Sequence, residues 1–304
     1  MNLCDDKTIF QQAILQTSQK LNIHPAIIEK DFYVTQMLQR LVSKDPDIIF
    51  KGGTSLSKCY KVIDRFSEDI DLNYDSHNTH LSQGLRRRFS KLIKESGETL
   101  NLSLGNPEEI RSRREFNQYI FQYMSHFGSA PVKPLLIVET SVFIPSFPTE
   151  IKTVDSYLYE FFALEDRKSL ISEYSLSPFP INVQTKERTF IDKIFAICDY
   201  YLTGNIAKHS RHLYDLYKLF PRIRLDPSFV LLFDAVKAAR KKSPVCPSAK
   251  EDSQIHTLLQ EIIDKRVYKT DYEQITSKLL FEKVSYDAVI STLEMIAAHN
   301  IWIT

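Results

Sequence analysis

Glycine is scarce in this sequence: seven residues in 304, two of them adjacent at Gly52 and Gly53. The four cysteines, Cys4, Cys59, Cys198 and Cys246, are scattered and form no CxxC pair. That spacing argues against a zinc site and against a disulfide framework, and a reducing cytoplasm is the simplest compartment. No stretch approaches the ~18 consecutive apolar residues of a membrane span, so no membrane partner is expected. The N-terminus, MNLCDDKTIF, lacks the basic start and apolar run of a signal peptide. Neither sign of charge dominates, and a net charge of +1 does not by itself mark a nucleic-acid binder. Internal repeats and low-complexity tracts are absent.

What is present suits a globular chain: 43% apolar and 25% charged residues over a length sufficient for two lobes. Helical periodicity runs through IFQQAILQTSQKL and HPAIIEKDFYVTQMLQRLV, the second with Pro25 in its first turn. DIIF reads as a short buried strand, KGGTS as a turn, LSKCYKVI as a short helix and SEDIDLNY as an alternating strand. Residues 81–98 form a basic amphipathic pattern, and NLSLG, FNQYIFQYM and PLLIVETSVFI read as strands. Residues 146–180 read as irregular connection plus a short helix. From Lys186 onward helical patterns follow one another. An N-terminal α/β lobe, residues 1–180, and a helical lobe, residues 181–304, are therefore expected. The boundary is placed near Ser177–Ile181, where Pro178 and Pro180 interrupt the chain.

The chemistry concentrates in FKGGTSLSKCYKVIDRFSEDIDL, which begins at Phe50. Alternation on a strand puts Ser67, Asp69 and Asp71 on one face and Glu68 on the other. Neighbouring carboxylates repel unless a cation or a hydrogen-bond donor lies between them, and Mg²⁺ takes one or two carboxylates together with substrate phosphates. Gly52 and Gly53 allow backbone N–H groups to approach a phosphate, and Thr54 and Ser55 add hydroxyls at a helix start. A lone glycine pair is usually a turn, and a lone DxD is usually a solvated strand edge. Their conjunction suits a nucleoside triphosphate bound through its phosphates, with Mg²⁺ or Mn²⁺ on Asp69 and Asp71. Lys58 and Arg65 flank the stretch as phosphate contacts or as plain surface. A phosphate group on Ser67 would set further negative charge beside Asp69 and block binding. Glu139, in LLIVETSVF, is the one acidic residue of a strongly apolar strand. It either lies at a solvated position or serves the same site.

These residues resemble the signature of the AbiEii/AbiGii nucleotidyltransferase toxin family, within the DNA polymerase β-like superfamily. EKDFYVTQML (Glu29–Leu38) also resembles the helix that precedes that signature. The resemblance implies an α+β fold: a nucleotidyltransferase lobe with a mixed sheet flanked by helices, and an all-helical lobe closing the active-site cleft. It implies Asp69, Asp71 and Glu139 as metal-facing carboxylates, Glu139 acting on the acceptor hydroxyl. It extends to ERTFIDKIFAI and RHLYDLYKL, and so to Lys193 and Asp215 as catalytic candidates, with Arg188 and Arg211 weaker ones. Helical periodicity alone would leave Lys193 at the flank of an apolar face and Asp215 exposed.

The function implied is transfer of a nucleotide from an NTP to an RNA acceptor, the tRNA 3′ end, with release of pyrophosphate. Translation and growth would stop, and a cognate antitoxin would be encoded alongside. A small-molecule or protein acceptor is the alternative, and an inactive binding module that kept the fold is a third reading. Basic clusters at Arg86–Arg88, Arg111–Arg114 and Lys237–Lys242 fit an RNA acceptor provided that the fold gathers them. Each alone reads as a solvated helix face.

Overall fold

The computed structural model describes residues 2–65, 67, 69–74, 82–111, 113–128, 132–250 and 252–299. The chain divides into two compact units. The first comprises Met1–Cys59, Glu68–Phe143 and Thr149–Val183; the second comprises Tyr60–Ser67, Ile144–Pro148 and Gln184–Thr304.

In the first unit the helices begin where the sequence caps them. Asp6 accepts the Thr8 and Ile9 N–H groups at the start of α1 (Lys7–Leu21). Pro25 occupies the first position of α2 (Pro25–Lys44), where its missing N–H costs nothing. Strand β1 (Ile48–Lys51) leads into α3 (Gly52–Lys58), then β2 (Ile70–Tyr74) and α4 (Gln83–Thr99). Strands β3 (Ser103–Leu104), β4 (Phe116–Gln122), β5 (Leu135–Ser141) and β6 (Thr149–Val154) follow. Helices α5 (Tyr157–Leu164) and α6 (Lys168–Glu173) and strand β7 (Phe179–Gln184) complete the series.

The strands form one seven-stranded sheet in the order β3-β4-β5-β2-β1-β7-β6. It is mixed: β1 pairs antiparallel with β2 and parallel with β7, and β2 pairs parallel with β5. Alternation sorts its side chains. Leu136, Val138 and Thr140 of β5 are buried, whereas Glu139 and its same-face neighbours are half-buried. Leu136 and Val138 pack with Phe32, Met37 and Leu38 of α2 and Phe89 and Ile93 of α4 into one core. Each such side chain contributes roughly 1.5–3 kcal/mol through burial.

The second unit carries α7 (Lys186–Thr203), α8 (Arg211–Leu219), α9 (Pro227–Lys241), α10 (Ile255–Asp264), α11 (Lys269–Gln274) and α12 (Tyr286–Ala297). Thr185 caps α7, and Gly204 ends it in a left-handed conformation. The segment 60–67 belongs to this unit: Arg65 bridges to Leu280, and the Phe281 N–H donates to the Asp64 carbonyl at 2.9 Å.

Several sequence expectations change in detail. KGGTS is not a separate turn, because α3 starts at Gly52 and ends at Lys58. β2 begins at Ile70, so the alternation argument reaches neither Ser67 nor Asp69. Glu68, expected on the opposite face, lies outside the described residues. Residues 146–180 hold more order than expected: β6, two helices and the start of β7. TEIKTV escapes pattern reading because β6 is an edge strand whose Ile151 is 67% exposed, so it lacks a buried apolar stripe. Pro180 does not break the chain. It stands near the start of β7, ahead of the paired residues Asn182 and Val183, where no ladder N–H is required of it.

Candidate active site

Register brings the acidic residues of the first unit together. Asp71 of β2 lies opposite Glu139 of β5, and Glu139 lies opposite Gln118 of β4. On the other side Asp71 faces Lys51 of β1. Gln118, Glu139, Asp71 and Lys51 thus form a polar row across four adjacent strands, because directly paired residues share a sheet face. All four are half-buried. Gln118 Nε2 donates to Glu139 Oε1 at 2.8 Å and so fixes that carboxylate. Asp69 precedes β2 by one residue and stands two residues from Asp71.

The turn of β1 into α3 is built around Asp71. Gly52 has φ +76°, a left-handed backbone that favours glycine. A Cβ there would lie 1.9 Å from Asp71 Oδ2. Glycine is thus required twice, by its backbone and by the carboxylate packed against it. Gly53 and Thr54 continue the first turn of α3, whose leading N–H groups have no partner within the helix. Thr54 and Ser55 are buried, and the Ser55 hydroxyl donates to the Gly52 carbonyl at 2.8 Å, bracing the turn from within.

The flanking cations are interior residues. Lys58 donates to Asp31 Oδ1 at 2.6 Å, to the Thr35 hydroxyl at 2.8 Å and to the Asp155 carbonyl at 3.0 Å. Asp31 also accepts the Tyr157 N–H, so the EKDF run of α2 anchors the end of α3. Its neighbour Glu29 is buried and accepts from Ser125 and the His126 N–H, while burial raises its pKa.

Arg65, Lys193 and Asp215 meet in the second unit. Arg65 Nε and Nη2 clasp the two Asp215 oxygens at 2.6 and 2.8 Å, and Lys193 Nζ reaches Oδ2 at 2.5 Å. Asp215 is fully buried, contrary to the exposed position that helical periodicity suggested. Burial alone would raise its carboxyl pKa, but Arg65 and Lys193 outweigh that and hold it well below the usual carboxylate range. Burial draws the Lys193 ammonium below its ordinary value despite Asp215. Periodicity missed this cluster because it marks apolar faces and cannot show a paired charge inside one. Arg188, the weaker candidate, is also buried, holding Asp192 and the Phe147 carbonyl.

Of the basic clusters, Arg86–Arg88 and Arg111–Arg114 converge in the first unit, where Arg86 Nη1 donates to the Arg113 carbonyl at 3.3 Å. Lys237–Lys242 is different. Its Arg240 is buried against Asp192 and Asp199 at 3.0 and 2.9 Å, so it supports the helical unit from within. Sequence reasoning also missed Gln118 and Lys51. Nothing in their spacing distinguishes them, and only the register reveals them.

The carboxylates of the row are hard oxygen donors, a chemistry that fits Mg²⁺ or a similar cation, and the missing Cβ of Gly52 leaves room for the Asp71 carboxylate. Among the described residues no three His, Cys, Asp or Glu side chains gather closely enough to enclose an ion. Asp69, Asp71 and Glu139, expected together on a metal, do not form such a group here. Among the described residues no helix is long and apolar enough to cross a membrane.

Residues 36–292 match the family described as nucleotidyl transferase AbiEii toxin, Type IV TA system. Among solved structures the chain is similar to MenT4, a nucleotidyltransferase toxin from Mycobacterium tuberculosis H37Rv. The identity is 17% and the TM-score 0.49, with 94% of this chain and 88% of that one covered. No curated protein matches the sequence.

Proposed function

The chain belongs to the AbiEii family of nucleotidyltransferase toxins of type IV toxin–antitoxin systems, and from that premise we propose that it transfers a nucleotide from an NTP to the 3′ end of tRNA, blocking translation. The observation that carries the site assignment is the register of Asp71 beside Glu139, with Gly52 packed against the Asp71 carboxylate. In this reading Asp69 and Asp71 hold a divalent cation. When bound, the cation neutralises charge on the triphosphate and on the departing pyrophosphate. Gly53, Thr54 and the N–H groups opening α3 receive phosphate oxygens. Glu139, held by Gln118, orients the acceptor hydroxyl and accepts its proton. The hydroxyl oxygen forms a bond to the α-phosphorus as the bond to pyrophosphate breaks. Lys193 and Asp215 serve as a buried brace that fixes Arg65. A cognate antitoxin accompanies the enzyme, as the family implies.

The test is incubation of purified protein with each labelled NTP, Mg²⁺ and total RNA, resolved on a gel. Label should enter a tRNA-sized band with the parent and not with Asp71→Asn. Label in no RNA with any of the four NTPs would turn the assignment toward a small-molecule or protein acceptor.

A further inference from the structure

The polar row contains one residue to which the reaction above assigns nothing. Lys51 ends β1 and faces Asp71 of β2 in register. Its backbone is still extended, with φ −146° and ψ −169°, so strand alternation holds up to it. Ile48 and Phe50 of β1 point into the core, as do Leu72 of β2 and Val138 of β5. Lys51, Asp71 and Glu139 therefore share the opposite face of the sheet. On the other side of β1, the residues of β7 paired with it, Asn182 and Val183, are uncharged.

The cations that the sequence offered for phosphate are committed elsewhere. Lys58 ends on Asp31, the Thr35 hydroxyl and the Asp155 carbonyl. Arg65 and Lys193 both end on Asp215. Lys51 is the cation of the row itself. Order along the row adds a direction. Glu139, Asp71 and Lys51 stand on three consecutive strands, β5, β2 and β1. Neighbouring strands are about 4.8 Å apart, so the outer two lie roughly 10 Å apart with Asp71 between them. In-line displacement at phosphorus places the attacking and leaving oxygens on opposite sides of the reacting atom. With the acceptor hydroxyl at Glu139 and the α-phosphate at Asp71, the leaving group falls on the side of Lys51.

We infer that Lys51 holds the β- and γ-phosphates and so receives the departing pyrophosphate. As the acceptor oxygen bonds to the α-phosphorus, the electron pair of the breaking bond passes to the pyrophosphate oxygen. The Lys51 ammonium donates a hydrogen bond to the charge that develops there and keeps its proton. This rests on the nucleotide-transfer reading above and gives it a polarity, with the acceptor on the β5 side and the leaving group on the β1 side. A lysine that only paired with Asp71 would support the sheet and leave pyrophosphate binding unchanged.

Calorimetric titration of the full chain with magnesium pyrophosphate tests it, since this probe carries no base and needs no acceptor. Lys51→Gln should weaken pyrophosphate binding about ten- to 100-fold, the effect of losing a hydrogen bond between charged groups. Lys51→Arg, which keeps the cation, should recover most of it. Nucleoside monophosphates, which lack the leaving group, should bind parent and Lys51→Gln alike. Equal pyrophosphate binding by parent and Lys51→Gln would overturn the assignment, as would no binding by the parent. So would an equal loss of monophosphate binding, or a Lys51→Arg protein that melts with the parent and binds no pyrophosphate. Labelling assays separate the two proposals. A parent that labels RNA, with Lys51→Gln unimpaired for pyrophosphate, removes Lys51 and leaves the reaction standing. Pyrophosphate binding that depends on Lys51, in a parent that labels no RNA, removes the RNA acceptor and leaves Lys51 standing.

Discussion

Glu139 owes its orientation to an amide on the neighbouring strand. Gln118 Nε2 donates to it at 2.8 Å, and a hydrogen bond to a charged group contributes about 1.5–3 kcal/mol. If Glu139 handles the acceptor proton, Gln118 is its positioning residue. Gln118→Leu should then lower kcat by roughly ten- to 100-fold and leave the KM for NTP unchanged. Gln118→Asn, with a shorter amide, should recover little. Steady-state kinetics with varied NTP check this, and a pure KM effect would show that Gln118 contacts substrate instead. At this scale the sequence was informative about Gly52, Asp71 and Glu139, because a turn glycine and acidic residues in apolar strands are conspicuous. Gln118 was invisible, since an amide on a half-exposed strand face is ordinary until the register shows what lies across from it.

Among the elements, α8 carries a pH-sensitive contact. His212 lies parallel to the Tyr200 ring of α7 at 5.9 Å, and His209 stacks on the same ring at 3.5 Å. Burial, together with Lys193 and Arg211, holds the His212 pKa well below its ordinary value. His209 is shifted in the same direction by burial and Arg211. An unfolded histidine takes up a proton near pH 6.5 whereas these folded ones resist it, so acid favours the unfolded chain. Stability should therefore be complete above about pH 6.5 and decline as the pH falls from there toward the depressed folded values. Thermal melts between neutral and mildly acid pH would show this. His212→Phe, which keeps a ring over Tyr200 and removes the proton site, should flatten the decline. An unaltered pH profile in that variant would refute the assignment. The helices themselves were legible from their periodicity, and α2 also from Pro25. β6 was not, because an edge strand with charged residues has no apolar alternation to read.

For the whole molecule, the order of residues along the chain and their grouping in space do not coincide. The helical unit takes most of its residues from Gln184 onward, yet it also includes Tyr60–Ser67 and Ile144–Pro148. Asp215 is held by Arg65 from the first of these, and Arg188 by the Phe147 carbonyl from the second. Losing one partner of a buried charge cluster costs about 3–5 kcal/mol, a large share of a domain's total of roughly 5–15 kcal/mol. A fragment of residues 184–304 should thus lack a cooperative melt and a near-ultraviolet signal, although its helices are intact in sequence. A sharp transition for that fragment at the temperature of the full chain would show that the inserted segments are dispensable. Read from the sequence, one boundary falls near Ser177–Ile181, at Pro178 and Pro180, and prolines cannot reveal two short segments that leave one unit and join the other. Their contribution lies in paired charges and backbone bonds rather than in apolar pattern.

The contact between Gly52 and Asp71 has a genetic consequence. Every missense change at a glycine codon introduces a Cβ, and at Gly52 any Cβ would collide with the carboxylate oxygen 1.9 Å away. In a population selected to survive expression of this toxin, escape mutants should therefore accumulate at codon 52 irrespective of the amino acid introduced. At codon 71 a change to glutamate could in principle preserve the charge. A glycine without a reactive atom would then be at least as frequent a site of inactivation as the carboxylate it accommodates.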